Sequence, residues 1–360
     1  MPTHFFHSGM AGAPTNTNAA GATLAIIDAI LVTGFNLQSV LSATVASEVM
    51  TVTYAAPHLY EDKVLIRLDG AAGGSIVRRA TVTGAQVLTI PAQGFADGAV
   101  AGTLSTRVAP ADWERVFSDT GKAVFRSKAT GPGCTRFYYR FSDSVAGSSK
   151  FILRGYEAMS DVDTGIGPYP TTGQVGGSGM RVIMSGTSTA RPWVAVADGR
   201  TVYMHTCFDE SAAYGMSFGD LSPFSGVDGF AAVAWAGELG QISRGLNMYL
   251  PRAASGVGSA IQSGLHLMFD ASGASGRDYP SPIDGGMLLQ RPVIGTDGGS
   301  ASSSALRFAC RGLMHCSANP VSGSPWVIFS SADGVGGRVL VVRDNGTSDA
   351  VAYAIDEDWP

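Results

Sequence analysis

The chain has 360 residues, 47 of them glycine, a net charge of −5 and only 15% charged residues, where globular proteins average roughly 7% glycine and about 25% charge. That length can bury a large core and hold about two or three structural units, and an ordinary aromatic content excludes a disordered polar chain. The basic residues form no Lys/Arg run, which excludes the electrostatic footprint of a nucleic-acid or anionic-lipid binder.

The start, MPTHFFHSGMAGAPTNT, lacks a basic stretch followed by an apolar one, so no secretory signal is expected. The longest apolar run, from Leu24 to Val32, is broken by Asp28 and falls far short of the ~20 residues that span a bilayer, so no membrane insertion is expected. Residues Asn18 to Thr33 read as a helix: Thr17 or Asn18 can cap it, Leu24, Ile27, Ile30 and Leu31 share a face, and Gly34 can end it in a left-handed turn. This arm and helix, residues 1–36, are expected to dock on a main domain.

From residue 37 to 109 the texture becomes β. SEVMTVTY, DKVLIRLDG, SIVRRATVTG, QVLTIP and GTLSTRV are short strand-like runs between turn residues. In the second, Val64, Ile66 and Leu68 alternate with Lys63, Arg67 and Asp69, the pattern of a half-buried strand. They predict a small inserted β-barrel or sandwich module. Residues 110–360 predict one large β-sandwich-like domain, with strands in KAVFRS, TRFYYRF, KFILRGYE, MRVIMSG, RPWVAVA, RTVYMHTCF, FAAVAWAG, LHLMFDA, GMLLQRPVI, PWVIFSS and RVLVVRD. Asp198-Gly199 is placed as a two-residue hairpin turn. In RFYYRF, alternation puts Phe137, Tyr139 and Phe141 on the core face and Tyr138 and Arg140 on the other. The predicted fold is therefore mainly β, with one N-terminal helix.

The motifs that carry chemistry are few. Asp-Thr-Gly, the tripeptide of acid proteases, occurs twice, at Asp119 and Asp163, only 44 positions apart. A shared-proton dyad needs two aspartates brought together from comparable lobes, and this spacing leaves no room for two lobes. Asp161 and Asp163 offer alternate oxygens for calcium, but Gly165 and Thr172 occupy the places where an EF-hand needs acids; they stand as a weak calcium candidate. Asp112 and Glu114 beside Trp113 resemble a sugar-cleaving carboxylate pair, and turn acids are the simpler reading. Cys134, Cys207, Cys310 and Cys316, with His205 and His315, match no zinc spacing. No phosphate cradle, dinucleotide fingerprint or serine elbow is present. No cofactor and no catalytic residue are expected. In RGYEAMSDVDTGIGPYPTTGQ, a strand runs into a turn-rich loop where Asp161, Asp163, Pro168, Tyr169 and Pro170 are expected to form a packed or subunit-contact loop.

What remains is the order of unusual segments. A GAP and AGATLAIIDAILVTGF start, a small β insertion, then APADWERVFSDTGKAVFRS, RGYEAMSDVDTGIGPYPTTGQ, ARPWVAVADGRTVYMHT, FGDLSPF and YPSPIDGGMLL follow one another. This resembles a group of virion structural proteins from tailed bacteriophages and prophages of high-GC proteobacteria, over nearly the whole chain outside the insertion. The resemblance implies a non-enzymatic tail-tip, baseplate or fibre-associated part, made in the bacterial cytoplasm and located in the virion. Its partners would be other virion proteins and copies of itself, with a host cell-surface polysaccharide as the partner of an adhesin variant and head decoration as the alternative position. It transfers no catalytic residue.

Overall fold

The computed structural model describes residues 2–72, 74–143, 151–175, 180–182, 185, 187–207, 213–224, 229–238, 248–253, 256–257, 260–261, 289–290, 293–295, 306–316, 325–330, 337–343 and 350–359. The fold is mainly β and sandwich-like, built from antiparallel sheets, and none among the described residues closes into a barrel. Predicted strands recur as Lys122–Ser127, Tyr138–Ser142, Phe151–Met159, Trp193–Ala197, Thr201–Cys207, Ala232–Glu238, Trp326–Ser330 and Arg338–Arg343. The LHLMFDA run and the loop after Gly295 lie outside the described residues.

A seven-stranded central sheet orders His4–His7, Trp193–Ala197, Thr201–Cys207, Ala213–Asp220, Ala232–Glu238, Met248–Tyr249 and Ala260–Ile261. All five residues of Trp193–Ala197 and all seven of Thr201–Cys207 are buried, because both faces of the sheet are covered. On one face Phe218 meets Trp113, Tyr139 and Phe141, with ring centroids 5.1–5.4 Å apart. These belong to a front sheet, a meander of Trp113–Asp119, Lys122–Ser127, Tyr138–Ser142, Phe151–Met159 and Gly165–Tyr169, with Met180–Val182 also paired to the fourth. Phe137, Tyr139 and Phe141 point into this core and Tyr138 and Arg140 away from it, as strand alternation requires. On the other face Tyr203 packs on Tyr353 and Trp359, at 5.0 and 5.6 Å. Tyr353 lies in a rear sheet ordered Leu289–Gln290, Leu313–Cys316, Ala350–Ala354, Arg338–Arg343 and Trp326–Ser330.

The three layers meet at the Asp198 turn. Asp198 and Thr201 close it by a backbone hydrogen bond of 3.0 Å, leaving Gly199 and Arg200 as its two central residues. One Asp198 carboxylate oxygen accepts the Arg200 and Thr201 N–H groups at 2.8 and 2.7 Å, and the other accepts the Arg311 guanidinium at 2.6 Å. Its carbonyl accepts the Trp113 indole N–H at 3.1 Å, and the next carbonyl, of Gly199, accepts the Ser127 hydroxyl. Asp198 and Arg311 are 0% and 4% exposed.

The helix is shorter than its sequence suggests and is capped from elsewhere. It runs Ala22–Asp28 and continues as a π-turn, Ala29–Thr33, which Gly34 ends at φ 68° by donating to the Ala29 carbonyl. Asn18 does not begin it: the chain there is still tied to the 187–191 segment, with Asn18 N–H on the Thr187 carbonyl and Asn16 bridged to Arg191. Gly21, at φ 81°, then turns the chain into the helix. The cap is the Asp143 carboxylate, which accepts the Thr23 and Leu24 N–H groups at 2.9 and 3.2 Å. Burial pulls that carboxyl above its usual range despite these bonds. Ile27, Ile30 and Leu31 are fully buried and Leu24 partly so.

Strands between Phe35 and Val108 pair among themselves in two sheets. One is ordered Phe35–Ser39, Ser105–Val108, Leu65–Asp69, Ile76–Arg79, the other Thr81–Gly84, Val87–Pro91, Val49–Thr53, Ser42–Ala46, Gly98–Ala99. The run SIVRRATVTG is split at buried Ala80 so that it serves both sheets. Met50, Val52, Ile66, Leu68, Leu88 and Ile90 fill the space between, and Tyr54 and Tyr60 share the Thr106 hydroxyl at 2.9 Å each. This unit is seated on the remainder by Phe6 against Phe35, by His7 with Glu61 at 2.9 Å, and by Arg79 with Asp356 at 3.3 Å.

Two buried histidines make the fold sensitive to acid. His4 donates from Nδ1 to the Ala109 carbonyl, and burial lowers its pKa to about 4. His205 is bonded through Nε2 to the Tyr353 hydroxyl, and burial lowers its pKa to about 3. Both are neutral when folded and protonate near 6.5 when unfolded, so the unfolded chain binds more protons in acid. Stability is then full above pH 6.5 and falls as pH drops toward 4, with a limiting slope of about 2.7 kcal/mol per pH unit for two such groups. Urea unfolding between pH 7.5 and pH 5 checks this, and His205→Gln, if folded, should halve the slope.

Candidate functional site

The Asp161–Pro170 segment supplies the turn and the edge strand of the last hairpin of the front sheet. Phe151–Met159 and Gly165–Tyr169 pair in uninterrupted register, from Met159 opposite Gly165 to Gly155 opposite Tyr169. The five residues between form a self-bonded turn. Asp161 accepts the Asp163 and Thr164 N–H groups, both at 2.8 Å, and Ser160 N–H bonds the Thr164 carbonyl. The Asp163 N–H, foremost among these bonds, holds the Asp161 carboxyl below its usual range.

Asp163 points sideways into two cations. Lys122 Nζ lies 2.7 and 3.1 Å from its two oxygens, and Arg140 Nη2 lies 2.5 Å from the second of these. Arg140 also donates from Nε to the Val162 carbonyl at 2.7 Å. Lys122 and Arg140 hold the Asp163 carboxyl below its usual range. The two Asp-Thr-Gly copies are thus neighbours, joined through the lysine that follows the first. Asp119 itself turns onto the Thr120 N–H at 2.7 Å. An acid-protease dyad needs two carboxyls sharing a proton; here two cations keep Asp163 ionised. A calcium ion at Asp163 would have to compete with both cations for its oxygens.

Of the other loop residues, Pro168 is half-buried, while Tyr169 and Pro170, joined by a cis peptide, are buried. Tyr169 packs edge-on against Phe137 and Tyr139 at 6.1 and 6.2 Å. Its ring lies where a Gly155 side chain would stand, 2.3 Å from the Cβ position. Tyr169 and Pro170 are therefore core residues, and the surface of this segment is Asp161, Asp163, Thr164 and Ile166, the last 74% exposed.

The other acids are similarly committed. Glu114 accepts Arg126 Nε and Arg136 Nη2 at 2.7 and 3.1 Å, and Asp112 pairs with Lys128 at 2.8 Å, while Trp113 between them points into the core. Partial burial raises the Glu114 pKa, but Arg126 and Arg136 outweigh it and leave the carboxyl below its usual range, the reverse of what a general acid needs. Burial lifts Asp220 above its usual range, against hydrogen bonds from Thr135 and Arg200 at 2.6 and 2.9 Å. Among the described residues no three His, Cys, Asp or Glu side chains gather as a metal site. Cys207 and Cys310 are buried thiols, and the side chains of His315 and Cys316 lie outside the described set. A cleft of about 10 Å³, room for one water, opens between Phe5, Met10, Lys63 and Arg338.

Lys122 and Arg140 are the site residues that motif reading passes over. Alternation along KAVFRS and RFYYRF puts both on the outer face, but only the register, Val124 opposite Arg140 and Lys122 opposite Ser142, sets them beside Asp163. Compared with protein-family models and with curated protein sequences, the chain finds no match.

Replacing Asp163 by Asn should cost no more than about 1 kcal/mol in urea unfolding, since exposed ion pairs contribute little. Calorimetric titration with calcium should give no heat attributable to the loop in either protein.

Proposed function

We propose that the chain is a non-enzymatic structural component of a tailed-phage virion, placed in the tail or baseplate and working through contacts with other virion proteins and with copies of itself. The observation that carries this reading is the commitment of the candidate acids. Asp163, Glu114 and Asp112 each face one or two basic side chains of the same molecule, so none is poised to transfer a proton or bind a metal. The resemblance in ordered segments supports the same reading from the sequence side. Exposed apolar side chains supply contact material: Leu37, Leu41 and Leu59 on the 35–108 unit are 61–68% exposed, and Ile166 stands at the front-sheet hairpin. Large apolar side chains left in water are a common mark of protein-protein surfaces when they gather in a patch.

Peptide mass spectrometry of density-purified particles from the phage or induced prophage that encodes the chain tests the proposal. The chain should be found in stoichiometric amount, and deletion of its coding sequence should yield particles with defective or missing tails. Its absence from intact particles, or normal infectious particles after deletion, contradicts the structural role. Antibody labelling at the head would instead overturn the tail position.

A further inference from the structure

We propose that the rear-facing side of the central sheet holds a buried hydration site between Trp235, Ser217 and His205, which takes a neutral, water-sized ligand. The register places the residues together. Tyr203, Ser217 and Trp235 stand directly opposite one another across three adjacent strands, and His205 stands opposite Gly215 on the same face. His205, Ser217 and Trp235 are 1%, 1% and 0% exposed. His205 Nε2 is occupied by the Tyr353 hydroxyl at 2.7 Å, and the Tyr203 hydroxyl donates to the Arg311 carbonyl at 2.8 Å. Three buried polar atoms have no protein partner: His205 Nδ1, Ser217 Oγ and Trp235 Nε1.

Gly215 is what lets these side chains approach. A Cβ there would lie 2.7 Å from His205 Nδ1 and 3.1 Å from Trp235 Cζ3, so the imidazole and the six-membered ring of the indole lean over the space that a side chain would fill, with the indole N–H on the far edge of its ring. Buried polar atoms are almost always bonded, and internal water is the usual partner when protein groups are not. The donor set selects the ligand. Trp235 only donates, Ser217 does either, and His205 Nδ1 accepts when Nε2 carries the proton. A water accepts from the indole and bonds the hydroxyl, and it or a second water donates to the imidazole. A cation would meet the indole N–H, and an anion would be buried without a positive charge; neither suits the set. The inference is independent of the virion reading.

A crystal structure of the purified chain should show ordered water about 2.7–3.2 Å from Trp235 Nε1 and from Ser217 Oγ or His205 Nδ1. Well-defined density for the three side chains with no water beside them overturns the proposal. The Ser217→Ala variant tests it by the sign of a shift. If the hydroxyl holds a water, its loss lowers the melting temperature by about 2 °C. If the hydroxyl is dry and unpartnered, its removal leaves the temperature unchanged or raises it, which contradicts hydration.

Discussion

A single carboxylate ties the layers together. Asp198 holds its own turn through two backbone N–H groups and binds Arg311 from the rear layer. The same turn receives the Trp113 indole and the Ser127 hydroxyl from the front sheet. A buried ion pair of this kind adds little net stability over a well-packed apolar substitute, but removing one member leaves an uncompensated charge in the interior. Its value is positional: it sets the front sheet, the central hairpin and the Arg311 segment in one relative arrangement. The aromatic contacts through Phe218 on one side and Tyr203 on the other then fill the spaces so defined.

That arrangement explains the composition. A sheet covered on both faces cannot carry alternating charges, so Trp193–Ala197, Thr201–Cys207 and Ala232–Glu238 are drawn from small, apolar and hydroxyl residues, apart from the neutral His205 and the terminal Glu238. Charges are pushed to the outer face of the front sheet and to the junction with the 35–108 unit, where they pair locally. Asp112, Glu114 and Asp163 are thereby paired within the molecule, while Leu37, Leu41, Leu59 and Ile166 remain exposed.

Much of the fold is legible from local pattern. Alternation finds the strands of the 35–108 unit and the inward faces of Phe137, Tyr139 and Phe141. The Asp198-Gly199 pair locates the hairpin one residue early, because the Asp198 side chain folds over the turn and leaves Gly199 and Arg200 as its central residues. What escapes are partners far apart in sequence. Asp143 caps a helix 120 positions upstream, which no inspection of Thr17 or Asn18 could reveal. Arg311 meets Asp198 from 113 positions away. Tyr169 sits in a Gly/Pro-rich stretch that reads as a packed or subunit-contact loop, yet it ends a strand, and glycine at 155 opens a place for its ring in the core. Asp163 looks available until strand register brings Lys122 and Arg140 to it. The candidate site was therefore readable as a segment and not as chemistry.

Equilibrium urea unfolding of Asp198→Ala, followed by tryptophan fluorescence beside the parent chain, tests the role of this node most directly. Loss of the partner of a buried arginine should cost about 3–5 kcal/mol, with the midpoint shifted and the transition still cooperative. A loss below about 1 kcal/mol would mean that aromatic packing alone holds the layers together and that the Asp198 turn is incidental to the fold.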